Sequence, residues 1–200
     1  MKRVAVLGSG RGSNLEALLR RELELGSYRI ALVASNVENA GILTIADRAG
    51  CTTAVLPHRG RTREAHESEV LALLRASGAE ILCLAGYMRV LTPQFVGSTG
   101  GPILNIHPSL LPSFPGMHAQ RQAVAAGVRW SGATVHLVDP GVDTGAILLQ
   151  EPVEVLENDT ETTLSARILL AEHRLYPRAL DLVARDRVRL HEGRAFIEER

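Results

Sequence analysis

Cysteine is nearly missing from this chain: Cys51 and Cys83 are the only two among 200 residues. Two thiols cannot build a disulfide framework. Both sit among apolar neighbours, so both read as buried, reduced side chains. Lysine is scarcer still, since Lys2 is the only one and the other 21 of 22 basic residues are arginine. No excess of charge exists, with 22 acidic and 22 basic residues and a pI near 7.1. A neutral chain has no global field to attract nucleic acid or an anionic membrane surface, so neither is expected as a partner. No apolar run approaches the ~18 residues of a membrane span. The run Val4–Leu7 is too short for the core of a signal peptide and stops at Gly8-Ser9-Gly10, so a cytoplasmic setting is expected. The cysteines are isolated and the histidines lack helical ligand spacing, so no metal is expected. Repeats, low-complexity tracts and linker-like stretches are absent too. A single domain over 1–200 is therefore expected, as a monomer or homodimer.

What is present is an ordinary globular composition, 46% hydrophobic and 22% charged. A chain of this length buries roughly 70% of its unfolded surface and needs no staples. Short apolar runs alternate with helical patterns. Strands are expected at Arg3–Leu7, Arg29–Ala34, Thr53–Leu56, Glu80–Ala85 and Ile103–His107. Helices are expected at Asn14–Leu25, with Leu15, Leu18, Leu19 and Leu23 on one face, at Gly41–Arg48, and at Arg63–Arg75. Such alternation argues for an α/β fold, a mostly parallel sheet with helices on both faces. Residues 108–131 are rich in proline and glycine around a short helix near Ala119–Ala126, and long segments of that kind are usually functional. Strands then follow at Ala133–Val138 and Ile147–Val155, a long helix at Thr160–Val183, and a terminal hairpin from Val188–Leu190 and Ala195–Ile197. The halves 1–100 and 101–200 differ in character, the first regular and the second loop-rich.

Three constellations could carry chemistry. In the stretch I-L-N-I-H-P-S-L-L-P, Asn105 and His107 are two apart at the end of a strand, so they point the same way. An amide donor beside an imidazole suits attack on a carbonyl, where an oxyanion is stabilised and a proton moved. Gly8-Ser9-Gly10-Arg11-Gly12-Ser13-Asn14 follows the first strand and opens the first helix, which suits a phosphate. The alternative there is a tight turn with Ser13 or Asn14 as the N-cap. A dinucleotide is disfavoured: Ser13 stands where a third glycine would be, and Ala34-Ser35-Asn36 lacks a ribose-binding acid. Asp139 and Asp143 lie in the turn-rich Val138–Gly145 loop, where a carboxylate can favour a charged imidazole or simply form an Asx turn. His136 divides evenly between a structural and a site residue. His118 can line a pocket, and His58, His66 and His191 read as surface residues.

These stretches together resemble the folate-dependent glycinamide ribonucleotide formyltransferases from about Val4 to Tyr176. G-S-G-R-G-S-N-L is similar to the family's loop for the substrate phosphate. L-A-G-Y-M-R-V-L-T-P (84–93) resembles its folate segment. N-I-H-P-S-L-L-P-S-F-P-G-M-H (105–118) resembles its catalytic strand and loop, and G-A-T-V-H-L-V-D-P-G-V-D-T-G (132–145) the stretch with its aspartate. The resemblance implies a Rossmann-like formyltransferase fold of seven strands, one antiparallel, with a phosphate-binding first half and a catalytic and folate-binding second half. It implies Asn105, His107 and Asp143 as the catalytic set. For the substrate phosphate and ribose it implies Gly12, Ser13, Asn14 and Glu172. For the folate it implies Arg63, Met88, Arg89, Val90, Leu91, Asn105, Asp139 and Asp143. The implied reaction moves the formyl group of 10-formyltetrahydrofolate to the glycyl amine of 5'-phosphoribosylglycinamide, in purine synthesis.

Overall fold

The computed structural model describes residues 1–198. The chain divides into two compact units, one from Met1 to Asn105 and one that begins at Ile106. The first contains β1 (Lys2–Leu7), α1 (Ser13–Leu25), β2 (Tyr28–Ser35), α2 (Gly41–Arg48), β3 (Thr52–Val55), α3 (Arg63–Ser77), β4 (Ile81–Leu84) and α4 (Pro93–Ser98). Strand β5 (Ile103–His107) runs through the boundary. The pairs β1–β2, β1–β4, β2–β3 and β4–β5 are all parallel. Val4, Ala5, Val6 and Leu7 on β1 are at most 1% exposed, as an inner parallel strand covered on both faces requires.

The expected elements form with shifts of at most three residues at their ends, and three expectations need correction. Leu23 does not join the buried stripe of α1; it is 88% exposed, and Leu15, Ala17 and Leu18 are the buried residues. Leu23 lies in the last turn, three residues before the left-handed Gly26 cap. His66 is fully buried rather than on the surface, because it shares one face of α3 with Val70 and Leu74. Cys51 is half-buried, while Cys83 is buried as expected, and neither forms a disulfide. Helix α4 was not expected: six residues are too few to show a helical period. Thr92 accepts the Phe95 N–H there and Pro93 opens the first turn, a start signal that the sequence does carry.

The second unit contains α5 (Ala119–Ala125), β6 (Trp130–Leu137), β7 (Ile147–Glu154), α6 (Glu161–Ala184), β8 (Val188–His191) and β9 (Arg194–Ile197). Strands β6 and β7 are antiparallel, with a register shift between Val135 and His136. The long helix α6 starts in a capping box, Thr160 and Thr163 each accepting the other's backbone N–H. It packs on β6 and β7, and its buried residues include Leu164, Ile168, Leu175 and Leu180. Hairpin β8–β9 turns at Glu192-Gly193, where both residues adopt positive φ. The large sheet has seven strands in the order β3-β2-β1-β4-β5-β6-β7, mostly parallel, as in the expected fold.

Candidate active site

In the first unit, the loop after β1 is held by its backbone. Gly8 N–H donates to the Ala34 carbonyl, Ser9 N–H to that of Gly86, and Ile42 N–H to that of Gly10. Gly12 is the N-cap of α1, at φ +91° with no side chain capping the helix. A Cβ at Gly12 would sit 2.6 Å from the Ile42 Cα, so only glycine allows this turn against α2. The N-cap is therefore neither Ser13 nor Asn14, which instead lie in the first turn. That turn of a 13-residue helix offers backbone N–H groups and the positive end of the dipole to an anion.

The Met88–Leu91 segment follows β4 and is tied to the same loop. Met88 N–H donates to Ser9 Oγ at 2.9 Å, and Ser9 O–H donates to Asn36 Oδ1 at 2.6 Å. The Asn36 amide in turn donates to His58 Nδ1 at 3.0 Å. Asn36 thus spends its side chain inside the unit, at the place where a dinucleotide site would need its acid. Met88 and Val90 are exposed, 69% and 52%, whereas Leu91 is buried. Burial pushes the neighbouring Tyr87 hydroxyl up to about 12. Glu67 anchors the far end of the segment by accepting both the N–H and the hydroxyl of Thr92. Arg63 is the exposed first residue of α3, behind the Thr62 N-cap. Burial pushes the His66 imidazole below its ordinary value; its Nε2–H donates to the Leu56 carbonyl at 2.9 Å.

Strand β5 carries Asn105, half-buried, and His107, buried at its end. In the second unit the His107 Nε2–H donates to the Phe114 carbonyl at 2.9 Å, and Nδ1 lies 3.3 Å from Asp143 Oδ2. That oxygen also accepts the Gly116 N–H at 2.7 Å, and Asp143 Oδ1 lies 3.5 Å from His136 Nε2. Asp143 holds φ +55°, a left-handed conformation that costs a non-glycine residue roughly 1–2 kcal/mol. Its burial alone would raise the carboxyl pKa. The His136 contact, the Gly116 N–H and the His107 ring outweigh burial and hold it below the ordinary carboxylate value.

Asp139 takes the Asx-turn role: its Oδ1 accepts the Gly141 N–H at 3.0 Å and the Thr144 hydroxyl at 2.7 Å. Gly145 ends the loop so tightly that a Cβ would sit 1.8 Å from the Leu137 carbonyl oxygen. Residues 108–114 are equally fixed. Ser109 O–H donates to the Ser113 carbonyl at 2.5 Å, and the Thr134 hydroxyl donates to the Ser109 carbonyl at 2.6 Å. His118 caps α5 at φ +60°, 3.7 Å from Glu161. Glu172 is buried on α6. Sequence reasoning missed the Phe114 carbonyl and the Gly116 N–H, since main-chain groups leave no mark in composition. It also missed Asn36, whose position after β2 was read only for the acid it lacks.

The family profile described as formyl transferase matches residues 2–180. The trifunctional purine biosynthetic protein adenosine-3 of Drosophila pseudoobscura pseudoobscura is 50% identical over 189 residues, which is 92% of this chain and 14% of that protein. The chain thus spans only about a seventh of that multifunctional relative. The phosphoribosylglycinamide formyltransferase of Bacillus subtilis (strain 168) is 41% identical over 179 residues, covering 88% of this chain and 92% of the relative. The crystal structure of glycinamide ribonucleotide transformylase 1 from Symbiobacterium toebii superposes with a TM-score of 0.96 at 44% identity, covering 100% of this chain and 95% of that one.

Proposed function

The chain belongs to the formyl transferase family, and we propose that it moves a formyl group from 10-formyltetrahydrofolate to the glycyl amine of 5'-phosphoribosylglycinamide. The observation that carries this reading is the buried His107–Asp143 pair, 3.3 Å apart with its carboxylate held below the ordinary value. The whole-length likeness to phosphoribosylglycinamide formyltransferases supports it.

The folate supplies the formyl group. The amine nitrogen attacks the formyl carbon, one C–N bond forms, the C–N bond to the folate breaks, and a proton passes from the amine to the departing nitrogen. As negative charge grows on the formyl oxygen, the Asn105 amide donates to it. His107 offers its Nε2–H, the edge of the ring facing away from Asp143, once that hydrogen leaves the Phe114 carbonyl that holds it at rest. Asp143, 3.3 Å from Nδ1, fixes the orientation of the ring from its other edge. Gly12, Ser13 and Asn14 hold the substrate phosphate at the start of α1, and Glu172 holds the ribose. Met88, Arg89, Val90 and Leu91, with the Asp139–Asp143 loop, hold the pterin, and Arg63 lies toward the rest of the folate. One domain over 1–200 serves the whole reaction.

The test is the absorbance change of 10-formyl-5,8-dideazafolate with and without glycinamide ribonucleotide. Turnover that requires the amine supports transfer. Turnover without it assigns a hydrolase instead, and none in either case overturns catalysis altogether. His107→Ala should lose about 10²–10³-fold or more in kcat, the usual cost of one oxyanion donor.

A further inference from the structure

His136 is a buried titratable side chain that the reaction above does not use. It is 2% exposed and sits where β6 shifts register against β7, between Val135 and His136. Such a shift re-aims the side chains beside it. Its Nδ1 lies 2.9 Å from the Leu137 carbonyl, and a carbonyl only accepts, so Nδ1 carries a hydrogen. The other nitrogen, Nε2, faces Asp143 Oδ1 at 3.5 Å. In a neutral ring that nitrogen would present a lone pair to a carboxylate oxygen. The contact is attractive only with a hydrogen on Nε2 as well.

The arrangement repeats on the other side of the carboxylate. His107 also commits its outer nitrogen to a carbonyl, that of Phe114 at 2.9 Å, and turns its inner nitrogen to Asp143. One carboxylate is therefore flanked by two imidazoles, each with its outer edge spent on main chain. We infer that His136 is a positioning residue for formyl transfer: it donates Nε2–H to Asp143 Oδ1 and so keeps Oδ2 aimed at His107 and at the Gly116 N–H. This rests on the formyl-transfer reading above. The second imidazole has a purpose that the first cannot serve. It holds the carboxylate from the Oδ1 side, while His107 and the Gly116 N–H hold it from the Oδ2 side. It also helps a strained residue hold its place, since Asp143 sits at φ +55°.

The experiment compares full-length wild type, His107→Ala, His136→Leu and His136→Gln. Glutamine keeps an N–H donor of similar reach; leucine keeps only the bulk. His136→Leu should lose about 10–100-fold in kcat, the value of one charge-assisted hydrogen bond, with the KM of both substrates within about 2-fold. His136→Gln should recover most of that loss. Long-range 1H–15N spectra of the free wild-type protein at neutral pH should show both His136 ring nitrogens protonated. A bare Nε2 in those spectra overturns the inference, as does wild-type kcat in His136→Leu or no recovery in His136→Gln. Failure of the underlying reading looks different: wild type itself then shows no amine-dependent turnover.

Discussion

The backbone N–H of Met88 is held by the hydroxyl of Ser9, a residue 79 positions earlier, at 2.9 Å. That hydroxyl is shared, because it also donates to Asn36 Oδ1. The loop read as a phosphate site and the segment read as a folate site thus meet on one side-chain oxygen. Ser9→Ala removes it and strands both partners. The folate KM should rise by about 3–10-fold, the range of one lost neutral hydrogen bond, while kcat changes less. Steady-state kinetics with each substrate varied in turn measures the split.

Acid should weaken the fold through Asp143. Its carboxyl lies below the ordinary value when folded, so the stability it contributes is fully present above the unfolded value of about 3.9. That contribution is lost as pH falls from there through the lower folded value. Thermal melts from about pH 5 downward should show wild type losing Tm more steeply than Asp143→Asn, the gap closing at the acid end.

Gly12→Ala should damage the amine substrate's site and the fold together. The backbone stands at φ +91°, and the new methyl would lie 2.6 Å from the Ile42 Cα. Strain of this kind costs about 1–3 kcal/mol, which lowers Tm by at least ~2–4 °C in a chain of this size. Calorimetry reads the Tm, and the KM of the amine substrate should rise in the same variant.

Gly145→Ala should leave the sheet folded and reduce turnover. A Cβ there would overlap the Leu137 carbonyl at 1.8 Å, so the Val138–Gly145 loop must move, and with it Asp143. A shift of about 1 Å at a positioned group can cost about 10²-fold in rate. Circular dichroism beside kcat distinguishes this outcome from unfolding.

Much of this architecture is legible in the chain because it is written in periodicity. The apolar run Val4–Leu7 can only be an inner strand, and the caps at Thr160 and Gly26 mark helix ends. His66 was legible too: with Val70 and Leu74 it repeats every four residues, a stripe that the reading of histidine as polar obscured. Leu23 failed for the opposite reason, since periodicity does not say where a helix runs past its neighbours. The residue types of the candidate site were visible in the sequence, but their arrangement was not. Nothing in the spacing of His107, His136 and Asp143 says that a left-handed aspartate places its two oxygens 3.3 Å from one ring and 3.5 Å from another.

The loop after β5 touches this pair at both ends, and it does so with main chain alone. Phe114 contributes a carbonyl to His107 and Gly116 an N–H to Asp143. Side chains at 114, 115 and 117 take no part in either bond. Evolution is therefore free to recolour this stretch, altering bulk or polarity toward the ligand, without loosening the clamp beneath it. What it cannot trade is backbone shape, above all the positive φ at Phe114 and Gly116.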